Sequence, residues 1–140
     1  MCLLVKSKDK QVLTAEKDLT FYKVVKLVDE EKYYSYYKLD EIVFGKLKED
    51  ENKDEFVFYK SASDDFLYSI EEGGYHLFCH YADAVRFTRN TSKFSNPDTK
   101  VKVVEAIVPK GTKYVIGEFI SYASGWVDSV VTKAVRYEKI

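Results

Sequence analysis

Both histidines of the chain lie close to one of its cysteines, in the segment that contains His76, Cys79 and His80. Imidazole and thiolate groups are good zinc ligands, but a closed zinc site needs four ligands. No second cluster of cysteine or histidine exists, so only a carboxylate could complete the set. We therefore expect no metal and no other cofactor, with His76 hydrogen-bonded inside the fold.

Cys79 is also the natural candidate for a nucleophile. A cysteine nucleophile needs a lowered thiol pKa, from a nearby base or from the start of a helix. Adjacent histidines alone do not establish this, and free cysteines are commonly small core residues. The favoured interpretation is a buried structural Cys79, and we predict no catalytic residues. A thiol enzyme stays open as an alternative.

Arg86 and Arg89 follow on one face of a predicted helix. Planar guanidinium groups could bind a phosphate or carboxylate, while nearby aromatic rings stack on a base. The alternative is that both arginines form surface ion pairs with Asp83 or Glu72, which contribute little. The sequence-based ligand-binding candidates are Arg86, Arg89, His76, Tyr75, Tyr34 and Tyr36.

The helix that would carry these arginines covers about residues 80–90. Tyr81, Ala84, Val85 and Thr88 recur at helical spacing, and polar residues take the opposite face. Asp83 near its start agrees in sign with the helix dipole.

The rest of the chain has the alternating pattern and aromatic content of strands, with 12 Tyr and 9 Phe. Pro109 and Gly111 predict a hairpin-like turn between two strands. Residues 127–140 predict a last strand pair or one long strand. The acidic run 49–55 predicts a solvated, mobile connection. Together these patterns predict a single globular α+β domain over residues 1–140, with a mostly antiparallel sheet and one main helix.

Composition excludes several classes of protein. Lys and Arg total 22 against 23 Asp and Glu, so no basic field attracts duplex nucleic acid. No apolar run approaches the roughly 20 residues that cross a bilayer, and no export signal is visible, so we expect no membrane contact and a cytoplasmic location. Two cysteines in that compartment predict reduced thiols. A homo-oligomer with tyrosine-rich interfaces stays open.

The sequence contains partial motifs of two classes of nucleotide-handling enzyme. The segment Glu72-Gly73-Gly74-Tyr75 lacks the spacing and the lysine of a phosphate-binding loop, which excludes an NTPase of that type. An ADP-ribosyl-transfer fold could use Ser61-Ala62-Ser63 with a late glutamate such as Glu118. Each of these elements is common, so this enzyme is kept only as an alternative.

The order and spacing of several motifs resemble a family of short uncharacterised proteins encoded by bacteria and their phages. The match covers about residues 22–140, and the corner Ser124-Gly125-Trp126-Val127-Asp128 departs from the more usual Ala-Ser-Asp. The resemblance implies no established reaction and suggests phage accessory roles or antagonism of host defence. The motifs are Tyr22-Lys23-Val24-Val25, Lys32-Tyr33-Tyr34-Ser35-Tyr36-Tyr37, Gly74-Tyr75-His76-Leu77-Phe78 with Ala82-Asp83-Ala84, and Val108-Pro109-Lys110-Gly111-Thr112-Lys113-Tyr114 with Gly117.

These observations favour a non-catalytic binding module, phage-encoded and directed against host defence, that sequesters a nucleotide-derived small molecule. A protein–protein inhibitor, with a host protein as its partner, or a self-associating accessory protein is the first alternative. An ADP-ribosyl-transfer-like or thiol enzyme is the second.

Overall fold

A computed structural model describes residues 3–29, 32–36, 41–52, 55–62, 66–71, 73–91, 100–121 and 125–140. Within them one α-helix, α1, spans Tyr81–Thr91, and a short 3-10 helix spans Ser7–Asp9. The strands are β1 (Leu3–Lys6), β2 (Leu13–Thr14), β3 (Leu19–Asp29), β4 (Lys32–Ser35), β5 (Glu41–Ile42), β6 (Leu47–Glu49), β7 (Tyr59–Lys60), β8 (Leu67–Ile70), β9 (Tyr75–Phe78), β10 (Lys100–Val108), β11 (Lys113–Ser121), β12 (Gly125–Thr132) and β13 (Ala134–Glu138).

The strands form one sheet whose order is β6-β13-β10-β3-β9-β12-β11-β1-β8-β7. β2 joins β11, while β4 joins β3 and β5. The strand pairs are antiparallel, and a parallel bridge joins Phe44 to Tyr137. The predicted antiparallel sheet with one helix is confirmed. Because the helix is so small a part of the described chain, the molecule is a mostly-sheet fold rather than an even α+β mixture.

β3 changes its partner part-way along one edge. Along its other edge, β3 pairs with β10 from Leu19 to Leu27. On the changing edge, β3 contacts β9 at Tyr22 and then pairs with β4 from Val25 onward. At this fork Lys23 Nζ donates a hydrogen bond of 2.8 Å to the His76 carbonyl. The lysine thus satisfies a strand carbonyl where the sheet divides.

The helix packs on this region through Ala84 and Phe87, which are buried. The Phe87 ring lies 5.4 Å from Phe78 and 5.9 Å from Phe119, measured between centroids, so aromatic contacts attach the helix to the sheet. The predicted helix is confirmed within one residue at each end. Its buried face differs from the predicted one, because Phe87 faces the core while Tyr81 is half exposed.

Two further clusters of buried apolar side chains complete the core. They are centred on Val25, Leu77, Val130 and Tyr137, and on Leu3, Val5, Ile70 and Val115. Within the described ranges, the helix is too short and too polar to cross a lipid bilayer.

The predicted turn at Pro109 forms, but the hairpin does not. The Thr112 amide donates to the Pro109 carbonyl at 3.2 Å, and Gly111 has a φ of 90°. β10 nevertheless pairs with β3 and β13, whereas β11 pairs with β12, β1 and β2. The turn is instead bound by Ala15, which accepts from the Gly111 amide and donates to the Thr112 carbonyl. β12 and β13 likewise follow each other without pairing.

The acidic run 49–55 is only partly solvated, which corrects a second prediction. Glu51 and Glu55 are exposed as expected, and residues 53–54 lie outside the described ranges. Asp50, however, accepts a hydrogen bond from the Gly74 amide, and its Oδ1 lies 3.9 Å from Lys133 Nζ. Because Lys133 is only 5% exposed, a nearby carboxylate is needed to stabilise its charge.

Candidate functional site

Two of the predicted site residues, His76 and Tyr36, line one small cavity at the β3 fork. Lys23 and Ser35 share its lining, and Phe87 closes it from the helix. Its volume is about 10 Å³, which is room for about one water molecule. A nucleotide does not fit this space in the conformation described.

The remaining predicted residues lie apart from this cavity, since its described lining includes none of Tyr34, Tyr75, Arg86 and Arg89. The Arg86 guanidinium lies 3.9 Å from the Asp83 carboxylate on the exposed helix surface, as the alternative interpretation expected. Arg89 is also exposed. The other alternative partner, Glu72, lies outside the described residues.

The two tyrosines have structural neighbours of their own. Tyr75 is half-buried and packs against the cluster around Leu77 and Tyr137. Tyr34 lies on β4, in register with Lys26 and Glu41 of the strands on either side. The structure therefore does not bring the six predicted residues together into one pocket.

The surroundings of Cys79 disfavour the thiolate form that a cysteine nucleophile needs. Burial, together with the nearby Asp128 and Asp83 carboxylates, raises the pKa of the Cys79 thiol from 9.0 to about 12. At neutral pH the group is a thiol, whereas thiol enzymes require a thiolate. Cys79 is free of any disulfide, and Cys2 lies outside the described residues.

His80 forms an exposed pair with Asp128, with 3.3 Å between Nε2 and Oδ2. His76, in contrast, is buried in β9. In the part of the chain that the structure describes, no group of three or more His, Cys, Asp or Glu side chains could hold a metal ion.

The described surface also contains a groove that the sequence did not predict. We call it the aromatic groove. Phe66 and Trp126 are 75% and 57% exposed along it, which is unusual for such large apolar side chains. Its volume is about 670 Å³, within the range of small-molecule sites. It is lined by Lys6, Ser7, Lys8, Phe66, Leu67 and Trp126.

Backbone hydrogen bonds fix the two sides of this groove. β1 pairs with β8 so that Lys6 lies opposite Leu67. The Ser7 amide then donates to the Phe66 carbonyl at 2.7 Å, which holds the 3-10 helix beside the aromatic ring. Trp126 comes from β12, opposite Ile120 of β11. Three separate parts of the chain therefore build the groove.

A second groove of about 350 Å³ adjoins the first and shares Lys6 and Lys8 with it. We call it the polar groove, because its lining includes Asp9, Gln11, Glu118 and Asp128. Lys6 Nζ lies 3.9 Å from a Glu118 carboxylate oxygen. The two lysines thus stand between an aromatic surface and a surface of carboxylates.

Sequence reasoning missed Lys6, Lys8, Phe66 and Trp126. A signal existed in the alternation of lysine with small and acidic residues from Lys6 to Lys10, and in the single tryptophan of the chain. Neither signal identifies a site alone, because the residues meet only when β1 pairs with β8 and β12 joins the same sheet through β11. Of the ADP-ribosyl-transfer candidates, Glu118 lies in the polar groove, and Ser63 lies outside the described residues.

Comparison with known proteins adds no relative: no family model, curated protein or solved structure matches the chain. The resemblance to bacterial and phage proteins therefore stays a prediction.

Proposed function

We propose that the protein is a non-catalytic binding module that holds a nucleotide-derived small molecule in the aromatic groove. One observation carries this proposal. Phe66 and Trp126 line a single cavity with Lys6 and Lys8, and both rings are mostly exposed. This proposal assigns ligand binding to the junction of β1, β8 and β12, whereas the sequence-based prediction assigned it to the arginines of the helix.

The chemistry of the groove matches the parts of a nucleotide. A base that stacks on an exposed aromatic ring gains about 1–3 kcal/mol. The ammonium groups of Lys6 and Lys8 supply positive charge for a phosphate at the edge of the same cavity. Leu67 adds apolar surface next to the rings. Ligand sites commonly combine such an apolar wall with a few polar groups that fix orientation.

Binding without turnover is the activity that these residues support. The Cys79 thiol has a raised pKa, and this opposes a thiol mechanism. A protein that holds a signal molecule without changing it lowers the free concentration of that signal. By the family resemblance we propose cytoplasmic sequestration of a host-defence signal as the biological role.

Trp126 provides a direct test, because it is the only tryptophan of the chain. Titration of the full chain with ADP-ribose, NAD or a cyclic dinucleotide is expected to change its fluorescence and raise the melting temperature. Phe66→Ala is expected to weaken binding by about tenfold or more. Tyr81→Ala, at a half-exposed ring on the helix, is the matched control and is expected to bind normally.

No change in fluorescence or melting temperature with any of these compounds would count against the proposal. Mass spectrometry of the recovered ligand tests the enzyme alternative, because a converted ligand would show turnover.

A second candidate function is self-association or binding to a protein partner. Ile120 and Trp126 lie opposite each other on β11 and β12, and both side chains are exposed. Contiguous exposed apolar surface commonly marks a protein interface. Sedimentation over a range of concentrations tests this candidate. Ile120→Lys, outside the lining of the aromatic groove, is expected to abolish an oligomer and to leave nucleotide binding intact.

A further inference from the structure

The surface beside Lys6 and Lys8 changes its chemistry from one side of the lysines to the other. On one side lie Phe66 and Trp126 of the aromatic groove. On the other side lie the carboxylates of the polar groove, including Glu118 and Asp128. Because the lysines belong to both linings, one extended ligand could contact the aromatic rings, then the lysines and then the carboxylates.

The carboxylates of the polar groove restrict what such a ligand can carry there. Ionised carboxylates only accept hydrogen bonds, so hydroxyl groups are suitable partners. Acidic side chains recognise ribose hydroxyls in this way in dinucleotide-binding folds. A further phosphate would meet like charge from Asp9, Glu118 and Asp128. The polar groove therefore selects a neutral group rich in hydroxyls.

Each of the two strand carboxylates has one side-chain nitrogen beside it, which leaves its other oxygen lone pairs for a ligand. Glu118 has Lys6 at 3.9 Å, and Asp128 has His80 at 3.3 Å. Their side chains are 34% and 62% exposed, so the oxygens are accessible from the groove.

Resting on the function proposed above, we propose that the ligand is a nucleoside diphosphate sugar. Its base stacks on Trp126, its diphosphate contacts Lys6 and Lys8, and its sugar hydroxyls donate to Glu118 and Asp128. The combined grooves, of about 670 and 350 Å³, offer separate space for the base and for the sugar. The lysines between them face the charged centre of the molecule.

Calorimetry with the full chain tests this ligand class against its closest relatives. ADP-ribose and ADP form one pair of probes, UDP-glucose and UDP form a second, and ATP adds a terminal phosphate. Each sugar derivative is expected to bind about tenfold or more tightly than its parent diphosphate. ATP is expected to bind more weakly than ADP, because its last phosphate extends toward the carboxylates.

The outcomes separate the two proposals. If ADP and ATP bind as tightly as ADP-ribose, the sugar assignment is overturned while nucleotide binding in the aromatic groove stands. If none of the five compounds binds, the proposed function fails and the ligand class fails with it.

Variants test whether the carboxylates of the polar groove cause the preference for a sugar derivative over its parent diphosphate. Glu118→Gln combined with Asp128→Asn is expected to reduce the preference for ADP-ribose over ADP to nearly equal affinities and to strengthen ADP binding. Glu105→Gln with Glu138→Gln is the matched control, because these carboxylates also lie opposite each other in register, on β10 and β13. Asp9→Asn, on the exposed 3-10 helix, is a second groove variant with little risk to folding. An unchanged preference in both groove variants would overturn the assignment of the sugar.

Discussion

Glu118 of β11 and Asp128 of β12 lie directly opposite each other in the register of the sheet. Two like charges at such positions repel each other and weaken a strand pair. The Lys6 ammonium lies 3.9 Å from the first carboxylate, and the His80 imidazole lies 3.3 Å from the second. This arrangement keeps two acceptor groups at the surface of the polar groove.

Glu118→Gln is expected to change the free energy of unfolding by less than about 1 kcal/mol. The substitution removes a partly exposed ion pair with Lys6, whose atoms are 3.9 Å apart and which contributes little, and it also removes the repulsion from Asp128. These effects oppose each other. Urea denaturation measures the change, and a loss of several kcal/mol would show that this carboxylate has a structural role instead.

Gly117→Ala is expected to destabilise the fold by about 1–3 kcal/mol. A Cβ atom at this position would collide with the Leu4 carbonyl oxygen and would lie 2.8 Å from Leu3 Cγ, because β1 passes close to β11 here. Ile116→Val, at the exposed neighbouring position, is the control and is expected to have little effect. Equal unfolding midpoints for the glycine variant and the wild type would contradict the close approach of the two strands.

Asp50→Asn is expected to cost about 2 kcal/mol of stability. The amide keeps an acceptor for the Gly74 backbone but withdraws the negative charge near the buried Lys133 ammonium, which also lies 4.5 Å from the Phe56 ring centroid. Thermal and urea unfolding measure the loss. Glu51→Gln, at the exposed neighbour, is the matched control.

A double variant gives an independent check on the Asp50 result. Lys133→Met in the Asp50→Asn background is expected to recover part of the lost stability, because it removes the uncompensated charge. A double variant that is less stable than Asp50→Asn alone would contradict this electrostatic explanation.

The Cys79 thiol is expected to react slowly with iodoacetamide in the folded protein at mildly alkaline pH, and rapidly in denaturant. Its pKa is about 12 in the folded chain, against the ordinary value of 9.0, so the reactive thiolate is scarce until the chain unfolds. The measurement needs a Cys2→Ser background, which leaves one thiol. Equal alkylation rates in the folded and unfolded chains would contradict the burial of this group.

The same pKa gives stability a pH dependence with a definite sign. The folded chain keeps the Cys79 proton above pH 9.0, where the unfolded chain releases it, so this contribution is fully present below pH 9.0 and is lost up to about pH 12. The difference in unfolding free energy between wild type and Cys79→Ser, followed over that range, isolates this contribution from the titration of tyrosines and lysines.

The helix could be predicted from the sequence because its signals are local. Helical spacing of the apolar residues and an acidic first turn are contained in one short segment, and the bounds were correct within one residue. Its buried face was harder to predict, since Phe87 is selected by contact with Phe78 and Phe119 from distant strands.

The choice of strand neighbours could not be predicted in the same way. The prediction of a turn at Pro109 is confirmed, but β10 and β11 pair with other strands of the sheet and not with each other. Asp50 is a second example. The acidic composition of its segment predicts a solvated loop, whereas its contacts with Gly74 and Lys133 arise only from the folding of distant parts of the chain. The grooves depend entirely on such long-range pairing, so none of their aromatic or lysine residues was predicted as a site.

The position of β1 between β8 and β11 has a consequence for how the molecule is made. Its partners β8 and β11 are synthesised well after it, so β1 cannot pair with either of them until those strands have emerged from the ribosome. Such contacts between distant segments also slow refolding, because a large loop must close before they form. The surroundings of Lys6 and Lys8 are therefore complete only after β11 and β12 have been made, and a truncated chain that ends before β11 would lack a wall of both grooves.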